Sequence, residues 1–219
     1  DNPNFRFVKA DICDKDTVDK LFAEEHPDIV VVNHVSNVTG LIAPFEEIFS
    51  ESKKYGAINI LDASQSLGMI SLTVSTEIDF LVFAGHKNLY SNFGVGGFIY
   101  NSNIELNSFI TGGTGSDSLN PDMPDAMPVK YEAASHDIIA IASLSASLEW
   151  LDTIGIENIF NHKKQLTEYL INKLTTFKSI KMYIPFNKDK HIAVLSFTHK
   201  NYRPEELADI LDGDFDIAV

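Results

Sequence analysis

Ala57-Ile58-Asn59-Ile60-Leu61-Asp62-Ala63-Ser64-Gln65-Ser66-Leu67-Gly68 is an apolar run that ends on a carboxylate and passes into small polar residues. Its first five positions predict a strand, and an acid closing such a strand needs a partner, because a buried unpaired charge is costly. Upstream, Ile29 to Val32 is an unbroken β-branched run, of the kind that a parallel sheet covers on both faces. Downstream, Asp79 to Phe83 and Gly97 to Tyr100 predict two more strands. Helices fall between them. Val18, Leu21 and Phe22 share a helical face behind an N-cap at Asp14 or Asp16, and Pro27 stops that helix. A second helix spans about Pro44 to Tyr55, with proline in its first turn and Gly56 at its end. With Phe5 to Val8 as a leading strand, the alternation predicts an α/β fold with a mainly parallel sheet.

Beyond Tyr100 the texture changes. Thr111 to Pro128 is loop-like, punctuated by Gly112, Gly113, Gly115, Pro121, Pro124 and Pro128. Ile138, Ile141, Leu144, Leu148 and Leu151 recur at helical spacing, and Ile159, Leu166, Leu170 and Leu174 follow suit. Strands at Ile180 to Ile184 and Ile192 to Phe197, then a helix opened by Pro204-Glu205-Glu206, predict a smaller α+β lobe over 155–219. Residues 34–154 then form the larger α/β portion, and 1–33 a separate βαβ-like segment. Phe215 to Val219 reads as the start of another strand, and position 1 is Asp instead of Met. A piece of a longer protein is expected.

Composition narrows the function classes. The net charge is −14, from 31 acidic against 17 basic side chains, with no basic stripe to hold a phosphate backbone, so a nucleic-acid partner is not expected. No apolar stretch approaches the roughly 18 residues of a membrane span, and the first residues lack the pattern of a signal peptide. Cys13, the single cysteine, can form neither an internal disulfide nor a cysteine-based metal site, and the histidines show no metal-ligand spacing. A soluble, cytoplasmic protein without a metal site is expected.

Polar residues gather where strands end. His34-Val35-Ser36-Asn37-Val38-Thr39-Gly40 follows the first buried strand, Asp62-Ala63-Ser64-Gln65-Ser66 the second, and Gly85-His86-Lys87 the third. Ligand sites in open α/β sheets collect at the carboxyl ends of strands, so one shared crevice is expected to hold Asn37, Asp62, Gln65, His86 and Lys87.

These strings resemble the cofactor core of the class V, fold-type I pyridoxal-phosphate enzymes, which include cysteine desulfurases, selenocysteine lyases and related aminotransferases. The resemblance rests on Asp62-Ala63-Ser64-Gln65-Ser66-Leu67-Gly68, Gly85-His86-Lys87 and Ser36-Asn37-Val38-Thr39-Gly40; Gly112-Gly113-Thr114-Gly115-Ser116 resembles the cysteine desulfurase-like branch. It covers residues 34–219. It implies that Lys87 forms the Schiff base with pyridoxal 5'-phosphate, that Asp62 pairs with the pyridine nitrogen, and that Gln65 donates to the ring oxygen. It also implies that His86 lies against the cofactor phosphate and that Asn37 touches the cofactor–substrate region. Lys130-Tyr131-Glu132-Ala133-Ala134-Ser135 is similar to a family string whose last hydroxyl reaches the cofactor phosphate of a neighbouring subunit, which implies a homodimer with Ser135 at its interface. An amino-acid substrate and a sulfur-accepting partner protein follow from the same resemblance. Ala84 departs from it, since many relatives carry a serine there. By the same resemblance, the phosphate-cradling loop and ring-stacking residue belong upstream of this chain, and the substrate-binding arginine and nucleophilic cysteine just beyond Val219.

Residues 1–33 resemble instead a βαβ piece of sugar-nucleotide 4,6-dehydratases, with Asp11-Ile12 in the place that would contact the adenine of NAD. No Gly-x-x-Gly-x-x-Gly precedes them. An NAD- or nucleotide-sugar-binding module, or an α/β scaffold without a complete active site, are the alternative expectations.

Overall fold

Strands β1 (Ile29–Asn33), β2 (Ile58–Asp62), β3 (Phe80–Ala84) and β4 (Gly96–Tyr100) stand in chain order within one sheet. They are seen in a computed structural model that describes residues 6–101, 103–113, 120 and 122–219. β1, β2 and β3 run parallel, in a register that sets Asn33 beside Asp62 and Asp62 beside Val82. β4 returns antiparallel to β3, pairing Gly97 with Phe83. The β1–β2 crossover carries α2 (Phe45–Lys53), as a parallel pair requires a long connection.

α1 (Lys15–Glu25) and α2 cover one face of the sheet. Val18, Val30, Val32, Phe45, Ile48, Phe49, Leu61 and Leu81 form the core between them. Asn59 points into this core and is fully satisfied there. It accepts from Ser52 Oγ at 2.6 Å and donates to the carbonyls of Phe49 and Glu77. Asp79, paired with Lys53, accepts the Asn59 backbone N–H at 2.7 Å. The opposite face is open at β1. There Ile29 and Val31 are 55% and 62% exposed, which corrects the expectation of a strand covered on both sides. The helices pack against Val30 and Val32 only, so β1 shows the alternating burial of a one-sided strand.

The leading strand is also corrected. Residues 6–8 take no strand conformation, and Phe5 lies outside the described residues. At the other end, Asp216 closes α5 (Pro204–Phe215) in a left-handed conformation (φ 57°), and Ile217 N–H returns to the Leu211 carbonyl. That Schellman-type closure replaces the expected strand at 215–219.

Asp137 caps α3 (Ile138–Ile154) by accepting the Ala140 N–H at 3.0 Å. Gly155, at φ 84°, breaks the chain before α4 (Ile156–Leu174), and the two helices meet at 79°. Leu89, Leu151 and Ile159 join them to the sheet through Leu67 and Phe83. β5 (Ile180–Tyr183) pairs antiparallel with β6 (Ser196–His199), and α5 follows against β6. β6 starts later than the expected Ile192, because Ile192 is instead buried with Val35 and Met69 beneath the loop after β1. Among the described residues no single helix is long and apolar enough to cross a membrane.

Candidate functional site

The strand register brings the three polar segments to one rim. His34 N–H donates to the Asp62 carbonyl at 2.9 Å, so the β1 segment starts level with the end of β2. Ala63 N–H donates to the Val82 carbonyl at 2.8 Å, which carries the same level to β3. By strand alternation Asp62 lies on the face opposite the α1–α2 core, with Ile58, Ile60 and Val82.

Asp62 is half-buried. Its Oδ1 accepts the Ser64 N–H at 2.9 Å, while Oδ2 has no protein partner among the described residues. Gln65 sits on the following turn, its carbonyl accepting from Asn88 Nδ2 at 2.6 Å and its side-chain amide without a protein partner among the described residues. Lys87 is exposed, and among the described residues its ammonium forms no hydrogen bond or ion pair, with Asp62 or any other group. His86, also exposed, stacks on Phe93 with ring centroids 4.7 Å apart. Gly68, at φ 85°, lets the two turns touch: a Cβ there would stand 2.1 Å from the Asn88 carbonyl oxygen.

Asn37 is exposed on a tight loop in which Ser36 Oγ accepts the N–H groups of Val38 and Thr39. Segment 190–196 holds that loop from behind. Ile42 N–H donates to the Lys190 carbonyl and Ile192 N–H to the Gly40 carbonyl, while Ser196 Oγ donates to the Val38 carbonyl. Gly40 (φ 67°) is required here, since a Cβ would meet the carbonyls of Val194 and Ile192 and the His191 ring within 2.8 Å. Ser135 stands apart. It is exposed just before the α3 cap, and no hydrogen bond among the described residues links it to the other five. Of the Gly112–Ser116 string, Thr114 to Ser116 lie outside the described residues.

Other residues at this rim escape a reading of motifs. His34 is buried, with Nδ1 2.8 Å from Ser66 Oγ and its ring edge-on to Phe45. Burial alone lowers its pKa to about 4, so it is neutral near neutral pH. Asn88 reaches both Gln65 and Lys163 of α4. Asn92 N–H donates to Ser143 Oγ of α3 at 2.8 Å, tying the turn after Lys87 to that helix. An apolar groove of about 550 Å³ lies beside β1, lined by residues such as Val18, Val31 and Leu41, and it includes none of Asp62, Gln65, His86 or Lys87.

Comparison with known proteins shows the family and the fold. The sequence pattern of the aminotransferase class-V family matches residues 6–219. That span includes most of the N-terminal segment, correcting its reading as a piece of a dehydratase. A probable cysteine desulfurase of Pyrococcus abyssi is 32% identical over 94% of this chain and 53% of its own length. One from Methanothermobacter thermautotrophicus is 30% identical over 98% of this chain and 55% of its own length. The chain spans about half the length of the curated relatives it matches. Among solved structures, the apo cysteine desulfurase of Thermococcus onnurineus superposes with a TM-score of 0.77 at 26% identity, over 95% of this chain and 54% of that one. A cysteine desulfurase of Escherichia coli shares the fold, with a TM-score of 0.81 at 21% identity, over 92% of this chain and 51% of that one. The fold is thus the α/β, mainly parallel architecture of these proteins, present in part, and the chain belongs to the aminotransferase class-V family.

Proposed function

We propose that this chain carries the lysine-bearing part of a pyridoxal 5'-phosphate enzyme of the cysteine desulfurase type, acting at the carbon–sulfur or carbon–selenium bond of an amino acid. The observation that carries the reading is one rim holding a carboxylate, a carboxamide, an imidazole and an amine. Asp62 Oδ2, the Gln65 amide and Lys87 Nζ have no protein partner there among the described residues. That donor set fits the cofactor: an acceptor for a pyridinium N–H, a donor for a phenolate oxygen, and a free amine for an aldehyde. When bound, pyridoxal phosphate withdraws electrons from the substrate α-carbon.

Lys87 supplies the amine that anchors the cofactor, and it afterwards takes or returns the proton at the substrate α-carbon. Asp62 holds the ring nitrogen protonated, and the Ser64 N–H keeps its carboxylate oriented. Gln65 donates to the ring oxygen. His86, stacked on Phe93, would lie against the phosphate, and Asn37 would border the substrate. Ser135 would reach the cofactor phosphate of a second subunit, so a homodimer would be the working form. An acceptor protein for the released sulfur and a cytoplasmic setting complete the proposal.

Incubation with pyridoxal phosphate, borohydride reduction and peptide mass spectrometry test it. The expected result is a cofactor adduct on Lys87 that is lost in Lys87→Ala. An adduct spread over surface lysines, or none, overturns the assignment and leaves a non-catalytic scaffold.

A further inference from the structure

Asn88 follows Lys87 directly, and its side chain is spoken for at both ends. Its Nδ2 donates to the Gln65 carbonyl at 2.6 Å, and its Oδ1 accepts from Lys163 Nζ at 2.6 Å. The orientation of the amide is unambiguous, because an ammonium can only donate and a carbonyl can only accept. Lys163 also lies over the Tyr90 ring, 5.6 Å from its centroid, so its charge is held on the same turn by a second contact. The Gly68 backbone packs against the Asn88 carbonyl. One amide therefore joins three parts of the chain: the turn carrying Lys87, the turn carrying Asp62 and Gln65, and helix α4. Hydrogen bonds in series polarise one another, so the Lys163 charge strengthens the grip of Asn88 on Gln65.

We propose that Asn88, clamped by Lys163, is a positioning residue that fixes the separation between the Lys87 turn and the Asp62–Gly68 turn and makes that separation depend on the seating of α4. This rests on the cofactor reading for its purpose but not for its physics. Neither residue touches the reacting atoms.

The two turns are measured directly by amide hydrogen exchange on the full chain without cofactor. Asn88→Leu removes both bonds at similar volume, and Asn88→Asp sets an oxygen against the Gln65 carbonyl. Both should speed exchange at 63–68 and 85–91 roughly tenfold, with β1 and α2 unchanged. Lys163→Met should do the same more weakly, and Lys163→Arg, which keeps a cationic donor, should restore the parent pattern. Lys163 lies on a helix surface, so its variants keep the question answerable if the Asn88 variants misfold. Unchanged exchange in these segments, or a rise spread evenly over the chain, overturns the proposal. Borohydride trapping on the same proteins separates the two readings. An exchange effect with no Lys87 adduct in the parent chain keeps the clamp and removes the cofactor. Full trapping in every variant with unaltered exchange removes the clamp alone.

Discussion

His34 is the residue whose surroundings dictate a measurable pH dependence. In the unfolded chain an imidazole binds its proton near pH 6.5, but buried between Ser66 and Phe45 it does so only near 4. As pH falls through this window the unfolded form takes up the proton first, so stability drops by roughly 1 kcal/mol per pH unit, and above the window His34 contributes no slope. His34→Asn, which keeps a donor beside Ser66, should remove that part of the slope. Urea melts of both proteins from about pH 7 to 4.5 provide the check, and equal slopes would show that His34 is not held neutral. The gathering of four candidate residues at one rim was legible at this scale. Asp62, Gln65, His86 and Lys87 stand close to strand ends within short strings, and a parallel register needs only correct strand placement to bring them together. The contacts of Asn88 were not legible, because Lys163 lies 75 residues away and Asn88 has no chemistry of its own to announce it.

Among the elements, β1 and β2 test which face is packed. Leu61 is completely buried under α2, and Leu61→Ala should cost about 3 kcal/mol in a denaturant melt. Val31, one strand away on the open face, should tolerate Val31→Ser at under ~1 kcal/mol. Comparable losses would contradict the one-sided sheet. Strand and helix positions were readable wherever the signal was local, as with Pro44 and Gly56 around α2. What escaped reading depends on distant partners. The one-sided burial of β1 follows from which helices reach it, the antiparallel β4 from the turn after Lys87, and the late start of β6 from the seat that Ile192 finds beneath the Gly40 loop.

For the molecule as a whole, large apolar side chains stand exposed on the sheet and on α3. Ile29, Val31, Val82 and Phe98 line the open sheet face, and Ile138, Ile139 and Trp150 project from α3. Faces of this kind draw chains together, so the isolated chain should self-associate at micromolar concentration. A monodisperse monomer in light scattering would contradict this. The Gly40 loop has a temporal consequence as well. Ser196 holds Val38 across 158 positions of sequence, and the Gly40 turn fits only around a segment that is synthesised much later. During translation the sheet and its carboxylate can settle early from neighbouring strands, while the Asn37 corner waits for residues 190–196. A ribosome-bound intermediate would thus display a formed sheet with an unfinished rim, and the rim would close only as residues 190–196 emerge.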